Sequence, residues 1–390
     1  MIAPVTFKLG TDVLFERDLL RGRTVGVVCN PASIDGEFRH VVNRAEQSGV
    51  RVGAIFGPQH GLRSDLQENM IETPHAEDAR RRVPVYSLYS ETRMPTSEML
   101  AGLDALVIDL QDVGTRIYTY IYTMANCLTA ARAHDLPVVV CDRPNPIGGL
   151  DVEGPMLEDG YRSFVGQYPI PMRHGMTIGE LARLFNEGFG IGAKLEVVAM
   201  RGWSRGDFFD AVPLAWVPPS PNIPTLDSAI VYPGTVLFEG TNISEGRGTN
   251  RPFDLVGAPW VDAEPFAEAL NVAGFPGVHF RPAWFEPTFH KHANTLCGGC
   301  QVHVTDRAAF QPVLVGVALI DAFRRAGPNQ FAWREPPYEY EYTKPPIDML
   351  YGSARLRSDL EAGRAPRDIA APWESGVREF RSLREKFLLY

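Results

Sequence analysis

Nowhere does the sequence hold about 18 consecutive uncharged apolar residues, so it offers no candidate membrane-spanning helix and no membrane partner is expected. Between Met1 and Leu9 no basic segment runs into an apolar one, which leads us to expect an unexported, cytoplasmic protein. Excess positive charge is also missing. The formal net charge is -9 with acidic and basic residues interspersed, leaving no positive face to neutralise a phosphate backbone and no nucleic-acid partner. Cysteine is scarce and odd in number: Cys29, Cys127, Cys141, Cys297 and Cys300 suit buried thiols in a reducing compartment. Cys297 and Cys300 form one C-x-x-C, but there is no second pair, and His290, His292 and His303 flank it without zinc-finger spacing. No metal site is expected. The first strand is followed by Asn30-Pro31-Ala32-Ser33 rather than a G-x-G-x-x-G turn, and neither a G-x-S-x-G elbow nor an H-E-x-x-H helix occurs. No cofactor is expected.

What is present is ordinary globular composition, 45% apolar and 22% charged. At 390 residues the chain exceeds the roughly 250 to 300 at which a single core stops growing, so two domains are expected. Short β-branched runs alternating with amphipathic stretches predict an α/β fold with a Rossmann-like parallel sheet in the first part. Its strands are predicted at Thr24–Cys29, Val52–Phe56, Val83–Leu88, Ala105–Asp109 and Pro137–Cys141. Between the last two, Ile117, Ile121, Met124, Leu128 and Ala131 recur at helical steps, predicting a helix with one face on the sheet.

Each predicted strand runs into polar or turn-forming residues: Asn30-Pro31, Gly57-Pro58-Gln59-His60, Tyr89-Ser90-Glu91, Gln111-Asp112 and Asp142-Arg143-Pro144-Asn145. In a parallel sheet these carboxyl ends share one rim, where open α/β sheets bind ligands. Further on, Thr177 and Glu180 form a capping box for a helix carrying Leu181, Leu184 and Phe185 on one face. A strand at Leu195–Ala199 follows. The proline-dense stretch 218–225 fits neither helix nor central strand, and the domain boundary is placed just beyond it, giving domains 1–226 and 227–390. The second, smaller α/β domain is built on a strand at Gln301–Val304 and a helix over 308–326, with a last helix near 373–387. The site is expected in the cleft between the domains.

The surplus chemistry is carboxylates, amides and arginines in glycine and proline loops, a composition that suits a sugar site. Glycoside hydrolysis needs a protonated acid near the leaving oxygen and usually a second carboxylate across the ring. Candidates are Glu68, Glu72, Asp109, Asp112, Asp142, Glu239 and Glu245, each weighed against a helix cap or a surface ion pair. The segment 239–249 is the hardest to read as mere structure. Its glycines cost backbone entropy, which is odd unless the backbone must approach a ligand closely. Arg63, Arg143 and Arg247 can each fork onto a carboxylate such as a lactyl group, or pair with a rim aspartate. His60 and His174 are either acid or base groups or hydrogen-bonded structural histidines.

Taken in order, the blocks Phe56-Gly57-Pro58-Gln59-His60-Gly61-Leu62-Arg63, Val85 to Tyr89, Asp109 to Arg116, Asp142 to Pro146, Arg173 to Glu180, Pro219 to Thr225 and Glu239 to Gly248 resemble the signature blocks of the exo-β-N-acetylmuramidase family (NamZ-like, DUF1343). The resemblance covers nearly the whole chain. It implies a Rossmann-like domain joined to a smaller α/β domain, and removal of β-linked N-acetylmuramic acid (MurNAc) from the non-reducing end of peptidoglycan fragments. The partner implied is a small carbohydrate; the oligomeric state stays open.

One position departs from the family pattern. Gln59 stands where the family's G-P-E-H-G block carries the glutamate taken as catalytic, and an amide can neither donate a carboxylic proton nor act as a carboxylate base. Glu72 or Glu68, the glutamates nearest in sequence, are therefore expected to supply the acid, with Glu239 and Glu245 near the ring and Asp112 orienting water or the acetamido group. Arg63 or Arg247 is expected to grip the lactyl carboxylate. The remaining blocks place Gln59, His60, Gln111, Asp142, Arg143, Asn145, His174, Asn222 and Asn242 on the substrate-binding side. Two rival readings stand beside this one: a binding protein that kept the cleft and lost the acid, and an enzyme of altered chemistry on a related amino sugar. The segment Tyr338-Glu339-Tyr340-Glu341-Tyr342 has no chemical account from sequence.

Overall fold

A computed structural model describes residues 6–67 and 70–390. Its centre is a seven-stranded sheet in the order β3-β4-β2-β1-β5-β6-β9. The strands are β1 (Thr24–Cys29), β2 (Arg51–Gly57), β3 (Ala76–Asp78), β4 (Val83–Ser87), β5 (Ala105–Asp109), β6 (Val138–Cys141) and β9 (Leu195–Val198). All neighbours pair in parallel except β3, which lies antiparallel on the edge. The alternation of side chains explains why both faces are covered. Val25, Val27, Ala105 and Val107 face a cluster built with the helices Gly10–Glu16 and Val41–Gln47, whereas Val28, Leu106 and Ile108 face the main core. Burying each such side chain stabilises the fold by about 1.5 to 3 kcal/mol.

Sequence order reverses between β1 and β5: the chain first steps outward from β1 through β2 to β4, then returns to β1's other side. Such a switch point opens a crevice at the carboxyl ends of the strands. The helix Tyr120–Ala133 follows β5 as expected, but it is buried on nearly every side, not on one face. The reason lies in the second part of the chain, whose residues pack over it: the largest buried cluster runs continuously from Val28 to Phe387. The two expected domains therefore share one core.

The capping box predicted at Thr177 forms, with the Thr177 hydroxyl accepting from the Glu180 amide and the Glu180 carboxylate accepting from the Thr177 amide. A two-stranded hairpin of β7 (Glu153–Met156) and β8 (Pro171–Arg173) was not legible in the sequence. Nor were β10 (Leu255–Ala258) and β11 (Val278–Phe285), which join β12 (Cys297–Val304) in an antiparallel sheet of order β10-β12-β11. The helix Ala263–Val272 backs this sheet, and the helix Pro312–Ala326 packs against that helix and against Leu226–Thr235. All five cysteines are buried and unpaired. No helix among the described residues is long and apolar enough to cross a membrane.

Arg116 fastens the two parts together. Fully buried, it donates to the carbonyls of Pro155 and Ile170 at 2.8 and 3.1 Å and to those of Leu350 and Tyr351 at 2.9 and 2.8 Å. The last two end the helix Pro346–Tyr351, whose final carbonyls lack intrahelical donors. Burial pushes the guanidinium down to about 10, and no carboxylate is needed to hold it.

Candidate active site

Above the carboxyl ends of β2, β1 and β5 lies a narrow pocket. The loop after β2 supplies Gln59 and His60, the turn before the helix Tyr120–Ala133 supplies Thr119, the proline-dense stretch supplies Ser220 and Asn222, and the second part of the chain supplies Glu239, Arg247, Tyr338 and Glu339. Glu239 ends a short 3-10 helix, Val236–Gly240, that closes against Ile347: a side chain at Gly240 would meet the Ile347 backbone at 2.6 Å.

Gln59 is held from both ends. Its oxygen accepts from the Thr119 hydroxyl at 2.7 Å, which fixes the amide so that its nitrogen donates to the Glu339 carboxyl at 3.2 Å. Tyr89 donates to the other oxygen of Glu339 at 2.8 Å. Burial, reinforced by the charge of Glu239, raises Glu339 to about 7 against the lowering effect of those two donors. The carboxyl group that Gln59 lacks is thus present beside it, on a segment 280 residues away in sequence. Glu339 and Tyr340 both sit at positive φ, 45° and 67°, a strained backbone held in place by its neighbours. Arg93 stacks on the Tyr340 ring at 3.4 Å, and the Tyr340 hydroxyl donates to Glu72.

Across the pocket, Arg247 donates to Glu239 and lies 3.1 Å from Glu245, while Tyr338 donates its hydroxyl to Glu239. Glu245 does not face the pocket. It is fully buried, paired with Lys291 at 2.7 Å and 3.3 Å from His290, and despite the opposing effect of burial Lys291, the His290 contact and Arg247 hold it well below the usual carboxylate range. It anchors the arginine and cannot serve as a proton donor near neutrality. The Nη1 of Arg247 has no hydrogen-bond partner among the described residues. His60, at φ 70°, bonds the Leu66 carbonyl through Nδ1 at 2.7 Å, so that nitrogen carries the proton and Nε2 is left as acceptor. Burial pushes His60 down to about 4, which keeps it neutral.

The glycines of this loop have a different cause from the one inferred from sequence. Gly246 and Gly248, at φ 77° and 81°, adopt the left-handed region, and a side chain at either would meet protein backbone at 2.7 Å, from Leu255 and Phe289 respectively. Close approach of neighbouring chain, not of ligand, requires them.

Of the residues selected from sequence, Gln59, His60, Asn222, Glu239 and Arg247 line the pocket. Glu68 lies outside the described residues. Glu72 is exposed and paired with Arg93 at 3.3 Å, away from the pocket wall. Arg63 is exposed as well. The rim residues Asp112, Gln111, Asp142, Arg143, Asn145 and His174 are buried and none lines the pocket; each bonds to its surroundings, and Asp112 Oδ1, Gln111 Oε1 and His174 Nε2 have no hydrogen-bond partner among the described residues. Asp112 caps the Gly114 amide and lies 3.3 Å from His174, rather than capping the long helix. Gln111 donates to the carbonyls of Asp112 and Pro144, and Asn145 to that of Met176. Asp142 accepts from Gly179, Thr177 and Tyr390; burial raises it to about 7. Arg143 forks onto Asp109, and His174 accepts from the Met176 amide. Asn242 bridges Gln330 and Ala332. The residue sequence reasoning missed is Glu339; the alternating Tyr and Glu of 338–342, following a diproline, was the trace it left.

Comparison with known proteins bears on what such a pocket does. The family model described as "Exo-beta-N-acetylmuramidase NamZ, N-terminal" matches residues 25–227, and its C-terminal counterpart matches residues 230–390. The peptidoglycan β-N-acetylmuramidase NamZ of Bacillus subtilis (strain 168) is 46% identical over 384 residues, covering 98% of this chain and 91% of that protein. A crystal structure of a DUF1343 family protein from Bacteroides fragilis is similar with a TM-score of 0.89 at 34% identity, covering 98% of this chain and 99% of that one. A second from the same organism has a TM-score of 0.76 at 27% identity, covering 99% of each chain.

Proposed function

Starting from a chain that belongs to the exo-β-N-acetylmuramidase NamZ family, we infer that it is a glycoside hydrolase releasing MurNAc from the non-reducing end of peptidoglycan fragments. The observation that carries this reading past the missing glutamate is the Glu339 carboxyl, protonated up to about pH 7 and oriented by Gln59 and Tyr89. Glu339 gives its proton to the glycosidic oxygen as the bond to the anomeric carbon breaks. The two donors already aimed at it then stabilise the carboxylate that forms. Water supplies the hydroxyl that the anomeric carbon takes up and the proton that restores Glu339. Glu239, held by Arg247 and Tyr338, is the carboxylate across the ring. The unpartnered Nη1 of Arg247 suits the lactyl carboxylate, and His60 Nε2 accepts from a sugar N–H or O–H.

The rival reading of a binding protein without an acid is disfavoured by the same contact, since a carboxyl group does approach Gln59. A chromogenic β-MurNAc glycoside tests the choice. Release by the wild type and its loss in Glu339→Gln support hydrolysis with Glu339 as acid. Release by neither the wild type nor Gln59→Glu sinks the muramidase reading, and undiminished release by Glu339→Gln sinks the assignment of the acid. The unpaired cysteines suit a reducing compartment, and we place the protein's work in the cytoplasm; fractionation showing it outside the membrane would overturn that.

A further inference from the structure

The segment that carries Glu339 does little to hold itself in place. Its turn closes with two backbone hydrogen bonds, both between Tyr338 and Glu341 at 2.9 Å, and inside it Glu339 and Tyr340 keep their positive φ. Such backbone costs about 1 to 3 kcal/mol per residue and persists only where neighbours over-determine it. The Glu339 amide donates to the Met70 sulfur at 3.2 Å, a weak acceptor. Support for the acid has to come from outside the turn.

That support converges on Arg93, in the loop after β4, which takes no part in the chemistry above. Its guanidinium nests in the angle of two phenol rings set edge to face at 5.9 Å, 3.4 Å from the centroid of Tyr340 and 5.2 Å from that of Tyr89. One ring belongs to the residue next to the acid, and the other bears the hydroxyl that donates to it. Arg93 is itself fixed. Nη1 donates to the Ser90 carbonyl at 2.8 Å and Nη2 to Glu72 at 3.3 Å, the same carboxylate that receives the Tyr340 hydroxyl. Its own carbonyl accepts from Asn126 at 3.1 Å, on the long helix Tyr120–Ala133. The Nε–H has no partner among the described residues, so the guanidinium sits where the rings and the Nη contacts put it, not where its own bonding would be complete.

We propose that Arg93 is the positioning residue of the acid: it ties Tyr340 and Tyr89 to the helix Tyr120–Ala133 and so holds the Glu339 carboxyl against Gln59, where it meets the glycosidic oxygen. The proposal rests on the muramidase reading with Glu339 as the acid. The charge of Arg93 acts on the same carboxyl. Burial first, and then Glu239, raises Glu339, while Arg93 works against both. Burial holds the surrounding phenols, Tyr89, Tyr232 and Tyr338, well above their ordinary value, so they stay neutral and Glu239 and Arg93 are the charges that weigh on the titration. Without the arginine, Glu339 keeps its proton to higher pH.

Release from the chromogenic β-MurNAc glycoside by Arg93→Met, Arg93→Lys and Tyr340→Leu, each with a pH profile and a melting curve, tests the clamp. Arg93→Met is expected to lower kcat about ten- to a hundredfold with KM within about twofold of wild type, and to move the alkaline limb of kcat/KM to higher pH. Arg93→Lys keeps the charge without the flat stack, so the limb returns to its wild-type position and kcat recovers in part. Tyr340→Leu, at an exposed residue, loses the stack and keeps the charge; kcat falls with the limb unmoved, a result that decides the matter even if Arg93→Met does not fold. Wild-type kcat in folded Arg93→Met or Tyr340→Leu overturns the proposal. So does a loss in Arg93→Met that merely tracks the folded fraction, with its limb unmoved. An inactive wild type sinks the muramidase reading instead, and a limb retained by Glu339→Gln sinks the acid; both results are distinct from failure of the clamp.

Discussion

The carboxyl rim of the parallel sheet and the wall formed by the 239–249 loop with the 338–340 segment are both dense in charge, yet they spend it differently. Along the rim the charges close on neighbours, Asp109 on Arg143, Asp112 on the Gly114 amide and Asp142 on the helix that begins beyond Thr177, and the atoms left over, Asp112 Oδ1, Gln111 Oε1 and His174 Nε2, lie outside the pocket. In the other wall what is left over faces the pocket. Arg247 retains a donor without a partner, and Glu339 retains its proton because burial and Glu239 disfavour its charge. Charge density in loops does not mark a reacting centre, and bonding capacity left over after folding does so only where it faces an open pocket.

The comparison breaks most directly at Glu339 and Asp109. Glu339→Gln is expected to lower kcat about 10²- to 10⁴-fold with little change in melting temperature, read from initial rates and thermal unfolding. Asp109→Asn leaves Arg143 buried without its counter-charge and is expected to cost about 3 to 5 kcal/mol of stability while the folded fraction keeps its kcat. Exchange of these two outcomes would put the chemistry on the rim. Glu245→Gln sharpens the contrast within the second wall. It removes the shared counter-charge of Lys291 and Arg247, with an expected cost of roughly 3 kcal/mol in denaturant melts and a raised KM for the chromogenic substrate as Arg247 loses its orientation.

The smallest effects are in pH. Because Glu339 works in its protonated form, kcat/KM should fall as pH rises through about 7, and that limb should vanish in the residual activity of Glu339→Gln. Stability has its own profile. Glu339, Asp142 and Glu153 all titrate near 7 in the folded chain, above their unfolded values, so the stability they contribute is complete in acid and lost as pH rises through about 7. Glu245 runs the other way: its contribution is present above the unfolded carboxyl value and lost as pH falls below it. Melting temperature should therefore peak near the unfolded carboxyl values, at roughly pH 4, and fall as pH rises towards 7; a monotonic rise to pH 8 would contradict the burial assigned to the raised carboxyls.

Most of the parallel sheet was legible because its strands announce themselves by β-branched runs ending in turn residues; β1 and β5 fall at the expected bounds. The small sheet was harder. β11 contains Pro282, and β12 opens on Gly298-Gly299, which reads as a break. Structure shows why glycine sits there: a side chain at either would lie 2.0 Å from the carbonyl of Val261 or Val256, so the strand is packed too closely to admit one. The same limit hid the acid. Gln59, His60, Glu239 and Arg247 stand in dense motifs, whereas Glu339 reaches them only through a strained segment crossing from the far end of the chain. Local pattern carries no record of such a meeting.

Arg116 bears on how a substrate gets in. Its hydrogen bonds bind carbonyls on both sides of the junction, in a dry interior where releasing them would strand a charge without solvent. A hinge that swung the two parts of the molecule apart would have to break that knot on every turnover. The saccharide must instead thread past the rims formed by residues 60–67 and 338–342, so entry and exit should be governed by small loop rearrangements around walls that stay put.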